Sequence, residues 1–207
     1  MAVAAPYSSP DILRRVVRLQ VVTLIWMTVE AAVALAAAAI ARSPALLGFG
    51  GDSVIELFSA VVVLWRFRAN SESAWTEQRA ARIAGALLFV LAACVVVTAG
   101  LALGGYREPR PSLVGIILLV VAALGMPGLA RQKRNLAARI GSASLKADAV
   151  ESALCGYMAW IALAGLLVNA VFHKSWADPI AALVLVPLMF KEGWEAWQTS
   201  RHRGQCC

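Results

Sequence analysis

Residues 43–68 read SPALLGFGGDSVIELFSAVVVLWRFR, an apolar run that contains two carboxylates, Asp52 and Glu56. The hydrocarbon core of a bilayer is about 30 Å thick, and a helix needs roughly 20 apolar residues to cross it. Residues 46–65 have this length and composition, so they predict a membrane-spanning helix. A carboxylate at the centre of such a helix costs about 2.5–3.5 kcal/mol and marks a functional site by default. The run therefore predicts both a span and a candidate site.

The composition of the whole chain is that of an integral membrane protein. Of its 207 residues, 60% are apolar and 15% are charged. Soluble domains have about 25% charged residues and under half apolar ones. A soluble enzyme, a disordered chain and a disulfide scaffold are therefore excluded. The net charge is +7, but the basic residues lie in short segments between apolar runs, which favours membrane orientation over nucleic-acid binding.

Six stretches of the chain are long and apolar enough, or nearly so, to span a membrane, and the connections between them are short. We therefore predict an all-α, polytopic membrane protein, a six-transmembrane-helix bundle that forms one domain over residues 1–207. The predicted spans are about 16–40, 46–65, 83–103, 113–130, 145–172 and 179–197. The N-terminus lacks the order of regions typical of a signal peptide, so we expect the first span to be retained.

The distribution of basic residues predicts the orientation of the bundle. With both termini in the cytoplasm, fifteen of the nineteen Lys and Arg residues lie on the cytoplasmic side, as the positive-inside bias requires. The run RQKRN at 131–135 belongs to this set and is expected to contact anionic headgroups. We therefore predict a multi-pass protein of the cell (inner or plasma) membrane.

The fifth predicted span also carries acidic residues. Asp148, Glu151 and Cys155 are spaced i, i+3 and i+7 and form one stripe, as Asp52 and Glu56 do at i, i+4. With a rise of 1.5 Å per residue, Glu56 and Cys155 each lie about 15 Å into their spans. Because the two spans run antiparallel, we expect Asp52 to face Cys155 and Glu56 to face Glu151. Oxygen and sulfur donors that converge in this way predict a divalent cation site.

The same residues have structural alternatives. Intramembrane acids can be protonated or capped by hydroxyl groups, and Cys155 can be a small packing residue. Asp148, nearest the cytoplasmic end, is a fifth ligand, a gate or a partner of Lys146. Glu30 of the first span either reaches the same site or bonds to a neighbouring helix. Asp178 is expected to cap the N-terminus of the sixth helix.

Three stretches resemble the cation diffusion facilitator family of divalent-metal exporters, and the resemblance covers essentially the whole chain. They are SPALLGFGGDSVIELFSAVVVLWRFR (43–68), SLKADAVESALCGYM (144–158) and WADPIAALVLVPLMFKEGWEAW (176–197). Members of this family typically carry Asp-xxx-Asp on the second span, and His-xxx-Asp after an Ala-Asp pair on the fifth.

The chain fills the ligand positions of the family with a different set of residues. Asp52 and Glu56 stand where the family has its two aspartates on the second span. Glu151 and Cys155 stand where it has His and Asp on the fifth, after an Ala-Asp pair that ends at Asp148. The resemblance therefore implies three carboxylates and a thiol as metal ligands, with Asp148 as an auxiliary and without an imidazole.

The resemblance also has consequences for organisation. The chain ends soon after the sixth span, without the cytoplasmic metal-binding domain of full-length relatives. We therefore expect a short, membrane-domain-only member that is not regulated through that domain. The family further implies a homodimer, whose contacts the membrane spans would have to supply.

The resemblance and the donor set together predict a secondary transporter that exports a divalent metal in exchange for protons. Zinc is expected because it accepts four-coordinate sites of oxygen and sulfur, and iron, cobalt, manganese and cadmium are the other candidates. The metal is a substrate, and no prosthetic group is expected. The alternative is a membrane metal-binding or sensing subunit without transport. An enzyme is not predicted, because no HExxH, GxSxG or Ser/His/Asp arrangement is present.

Overall fold

The computed structural model is a bundle of six α-helices, and it describes residues 10–68, 74–140 and 143–202. The helices are α1 (Pro10–Ala41), α2 (Pro44–Arg68), α3 (Ala74–Leu103), α4 (Leu113–Ile140), α5 (Ala143–Phe172) and α6 (Ala177–His202). Each of the six predicted spans lies within one helix, and the prediction of an all-α architecture is confirmed. Cys206 and Cys207, to which the sequence assigns no role, lie outside the described residues.

Four helices are long and apolar enough to cross a membrane within the described part of the chain. Their apolar segments are Val17–Ala41, Arg82–Leu103, Leu113–Arg139 and Asp148–Phe172. The other two, α2 and α6, have 25 and 26 residues and remain predicted spans. Large apolar side chains point outward, as a surface in contact with lipid requires: Ile25, Ile40 and Leu124 are 61%, 79% and 65% exposed.

One end of the bundle, here called the loop end, carries the connections between α1 and α2, between α3 and α4, and between α5 and α6. Two hydrogen bonds tie the α3–α4 connection to its neighbours. The backbone N–H of Arg110 donates to the carbonyl oxygen of Ala41 over 2.8 Å. The side-chain amide of Asn169 donates to the carbonyl oxygen of Pro109 over 3.3 Å. The loop end is therefore an ordered layer that fixes the ends of α1 and α5.

Asp178 joins the N-termini of α2 and α6 at the loop end. It is fully buried, and its Oδ1 atom accepts the backbone N–H of Ala45 over 3.1 Å. Its Oδ2 atom accepts the hydroxyl group of Ser43. The prediction that Asp178 caps α6 is wrong, because α6 already begins at Ala177 and the carboxylate instead bonds to the first turn of α2. The first N–H groups of a helix have no partner within it, so this contact stabilises α2.

The central helix of the bundle is α2, which packs against α1, α3, α5 and α6. Glycines also allow close crossings between other helices. A Cβ atom on Gly85 of α3 would lie 2.8 Å from the carbonyl oxygen of Gly193 on α6. A Cβ atom on Gly165 of α5 would lie 2.4 Å from the Cβ atom of Ala181 on α6. Such close approach of backbones is typical of helices packed in membranes.

The substitution Gly165→Ala is expected to destabilise the bundle. Its Cβ atom would lie 2.4 Å from that of Ala181 and 3.1 Å from the carbonyl oxygen of Ala177, so α5 and α6 must move apart. We expect the free energy of unfolding in detergent to fall by about 1–3 kcal/mol. The melting temperature, followed by tryptophan fluorescence, reports this change.

Gly100→Ala is the matched control, because nothing lies within 4 Å of a Cβ atom at that position of α3. Alanine is favoured over glycine inside a helix by about 0.5–1 kcal/mol, so the melting temperature should stay the same or rise. Equal melting temperatures for the two variants would contradict the close crossing of α5 and α6.

Candidate metal site

Glu30 of α1 is a fully buried carboxylate that contacts α2 and α5. The indole Nε1–H of Trp26 donates to its Oε2 atom over 2.6 Å. The hydroxyl group of Ser53 donates to Oε1 over 2.9 Å, and the thiol of Cys155 donates to the same oxygen over 3.5 Å. The sequence left open whether Glu30 reaches the predicted site or bonds to a neighbouring helix. It does both, because Cys155 is a predicted ligand and Ser53 lies on α2.

Asp52 of α2 is 2% exposed and forms a side-chain hydrogen bond with Glu192 of α6. A hydrogen bond between two carboxyl groups requires a proton on one of them, because an ionised carboxylate has no donor. The Oδ1 atom of Asp52 is buried without a hydrogen-bond partner. A buried polar atom that lacks a partner is costly and calls for an explanation, such as a bound ion.

Glu56 lies one turn further along α2 and is half-buried. It is within electrostatic range of Asp52, Glu151, Glu192 and Glu30, all of which are acidic. The buried thiol of Cys155 is within range of Glu56 and Asp52 as well as Glu30. We call this set the central cluster: Glu30, Asp52, Glu56, Cys155 and Glu192.

A buried ion pair links α4 to α5 next to this cluster. The Nζ atom of Lys133, whose side chain is fully buried, lies 2.9 Å from the Oδ1 atom of Asp148. It also donates to the hydroxyl group of Ser152 over 2.9 Å. Asp148 and Ser152 are one turn apart on α5, so the ammonium group spans that turn. Of the roles that the sequence left open for Asp148, which were ligand, gate and ion-pair partner, pairing is seen, but the partner is Lys133 rather than Lys146.

The position of Lys133 corrects the prediction that the whole run 131–135 contacts lipid headgroups. Arg131 and Arg134 are exposed, as expected for residues that contact headgroups, but Lys133 points into the bundle. Ala130 and Ala137 of α4 are buried as well, and spacings of three and four residues put Lys133 on the same helix face. This periodicity is present in the sequence and would have identified the inward-facing lysine.

The hydrogen bond of Cys155 goes to α1, whereas both expected α2–α5 pairs, Asp52 with Cys155 and Glu56 with Glu151, are within electrostatic range. The thiol of Cys155 contacts Glu30 of α1, where the sequence favoured Asp52 as its neighbour. Glu151 is exposed, and the like charge that acts on it most strongly is that of Asp148. Glu151 therefore lies at the exposed edge of the central cluster, within electrostatic range of Glu56 and Glu192.

The described residues contain no group of three or more His, Cys, Asp or Glu side chains already arranged to hold a metal ion. The central cluster nevertheless gathers Asp52, Glu56 and Cys155 and adds Glu30 and Glu192. Glu192 was missed, although it is a carboxylate within the predicted span 179–197 and so meets the criterion applied to the others. The assignment of ligands stays a prediction for all five residues, which are Asp52, Glu56, Glu151, Cys155 and Asp148.

Residues 21–201 match the family profile described as the cation efflux transmembrane domain. The chain belongs to the cation efflux family. The resemblance drawn from the sequence is thereby confirmed, and the chain is a multi-pass membrane protein.

Two curated proteins of Bacillus subtilis (strain 168) are similar to this member of the family. The manganese efflux system protein MneS is 24% identical over 170 residues, and the uncharacterized transporter YdbO is 25% identical over 170 residues. In each case the similarity covers 78% of this chain and 58% of the relative. The chain therefore spans less than two thirds of the length of either relative.

Removal of the Lys133 charge is expected to destabilise the protein, because it leaves the carboxylate of Asp148 without its partner. For Lys133→Met we expect a loss of about 1–3 kcal/mol, less than for a wholly buried pair because the Asp148 side chain is 27% exposed. The double variant Lys133→Met/Asp148→Asn removes both charges and should be more stable than Lys133→Met alone. Unfolding in mixed micelles with increasing SDS measures all three proteins.

The exposed ion pair of Lys191 and Glu195 on α6, with 3.8 Å between Nζ and Oε1, is the control for this experiment. Lys191→Met should change the stability by less than about 0.5 kcal/mol, since exposed pairs contribute little. If Lys133→Met lowers the stability as little as Lys191→Met does, the buried ion pair is contradicted.

Proposed function

We propose that this member of the cation efflux family exports a divalent metal ion in exchange for protons through the central cluster. The observation that carries the proposal is the collection of four carboxyl groups and one thiol among the helices of a membrane bundle. Charged groups of one sign collected in low dielectric repel each other strongly. Either protons or a cation must relieve this repulsion, and the exchange of one for the other is the proposed transport cycle.

Competition between protons and metal for the same atoms provides the coupling. Carboxylates and thiolates bind metal only after they lose their protons, so metal binding releases protons. The contact between Asp52 and Glu192 supports this step, because two carboxylates in contact repel each other unless a proton or a cation lies between them. An ion that reaches the unpartnered Oδ1 atom of Asp52 would displace such a proton.

The donor set favours a transition metal over Mg²⁺ or Ca²⁺. Thiolate ligands select zinc and other softer ions, whereas carboxylates alone suit Mn²⁺, Mg²⁺ and Ca²⁺. Cys155 therefore supports Zn²⁺ as the preferred substrate. The majority of carboxylates, together with the manganese efflux named for MneS, makes Mn²⁺ the second substrate to test; iron, cobalt and cadmium follow.

Transport requires the cluster to open to one side and then to the other. Helices of transporters commonly rock about a site near the middle of the membrane. With the termini in the cytoplasm, Glu151 lies on the cytoplasmic half of α5, where its exposed carboxylate would receive the incoming ion. The proposal includes a homodimer, which the family implies. It includes no prosthetic group.

Flux into proteoliposomes with an imposed pH gradient tests the proposal. We expect wild-type protein to move Zn²⁺ against the proton flow, detected by a metal-sensitive dye inside the vesicles. Glu56→Gln and Glu151→Gln should each lower the initial rate at least tenfold, because each removes a charge that binds or guides the ion. Mn²⁺ is measured in parallel.

Glu108→Gln is the matched control, since Glu108 is an exposed carboxylate in the connection between α3 and α4. Its flux should equal that of the wild type. Wild-type rates for both Glu56→Gln and Glu151→Gln would refute the site assignment. Saturable metal binding without gradient-driven flux would select the metal-sensing subunit instead.

A further inference from the structure

We propose that Glu30 of α1 is itself a ligand of the transported ion, so that α1, α2 and α5 hold the ion together. This inference rests on the proposed function and extends its site from the two helices indicated by the sequence to three. The family's ligand positions lie on the second and fifth spans, and Glu30, on the first span, is not one of them.

The first support is the burial and restraint of the Glu30 side chain. It is fully buried, and the 2.6 Å hydrogen bond from Trp26 fixes one of its oxygens, Oε2. Restraint of this kind by a neighbouring donor is how ligand carboxylates are oriented in metal sites. The other oxygen, Oε1, points toward α2 and α5, where it meets Ser53 and Cys155.

The second support is the distance between Glu30 and Cys155. In a tetrahedral zinc site with Zn–S of about 2.3 Å and Zn–O of about 2.0 Å, the sulfur and oxygen atoms lie about 3.5 Å apart. The Sγ atom of Cys155 and the Oε1 atom of Glu30 are 3.5 Å apart. The two atoms therefore already have the separation of two ligands of one ion, and binding would replace the thiol proton by the metal.

A third, independent observation is the unpartnered oxygen of Asp52. The side chain is 2% exposed, its Oδ1 atom has no hydrogen-bond partner, and it is within electrostatic range of Glu30. It offers the next donor to an ion seated between Glu30 and Cys155. Because the described residues do not yet form a complete ligand set, Asp52 and Glu56 must move toward the ion while Glu30 and Cys155 stay in place.

Cadmium binding to the purified full chain in detergent tests this inference. Binding of Cd²⁺ by a thiolate gives an ultraviolet charge-transfer band, so the band reports occupation of Cys155 once Cys94, Cys206 and Cys207 are replaced by serine in every protein compared. Glu30→Gln keeps the size of the side chain and its ability to accept the Trp26 hydrogen bond, but it removes the charged ligand. We expect its dissociation constant for Cd²⁺ to rise at least tenfold, with the band still present at saturation.

Ser53→Ala is the matched control. It removes a hydrogen bond to the same Oε1 atom but leaves the carboxylate, so its dissociation constant should stay within about threefold of the wild-type value. If Glu30 only ties helices together, the two variants should weaken binding alike, and the inference fails. Wild-type affinity in folded Glu30→Gln would also overturn it.

The two proposals fail in distinguishable ways. If the wild-type protein binds no Cd²⁺ at all, the proposed function fails and this inference fails with it. If the wild type binds Cd²⁺ and Glu30→Gln binds it equally well, the inference alone fails. Should Glu30→Gln not fold, anomalous diffraction from wild-type crystals grown with Cd²⁺ replaces it: an ion within about 2.5 Å of a Glu30 oxygen supports the inference, and an ion elsewhere refutes it.

Discussion

The carboxylate of Glu30, buried at the junction of three helices, is the constraint on which the arrangement of this bundle depends. A charged or polar group in an apolar interior must find hydrogen-bond donors or a cation, and Glu30 finds its donors on three elements. Trp26 supplies one from the same helix, Ser53 one from α2 and Cys155 one from α5. The same contacts that satisfy the carboxylate therefore bring the predicted ligands of α2 and α5 beside α1.

Polar contacts hold the helices at three levels, and their chemistry differs. At the loop end, Asp178 binds backbone and hydroxyl donors of α2, which fixes the start of that helix. At the other end, Lys133 and Asp148 form a buried ion pair between α4 and α5. Between them, Glu30 bonds to an indole, a hydroxyl and a thiol, and the charges that act on Asp52 are acidic. The outer levels are thus closed by complementary groups, whereas the middle level keeps an excess of negative charge that a divalent cation can offset.

The sequence predicted the six helices because length and hydropathy are local properties, and it predicted the acidic pairs on α2 and α5 because helical spacing is local too. It could not tell which neighbour each side chain would meet. The thiol of Cys155 bonds to Glu30 because α1 packs beside α2, a fact of tertiary arrangement. Asp178 caps α2 for the same reason, since the two N-termini meet only in the folded bundle. Lys133 and Glu192 were within reach of sequence reasoning: the buried face of α4 runs through Lys133, and Glu192 lies inside a predicted span.

The central claim is that the carboxyl groups and the thiol of the middle level exchange protons for a divalent ion. Isothermal titration calorimetry of the purified chain with Zn²⁺, repeated in buffers of different ionisation enthalpy, measures the ions bound and the protons released in one experiment. The account predicts one saturable ion for each chain and the release of more than one proton with it. Saturable binding without proton release, or no saturable binding, would contradict it.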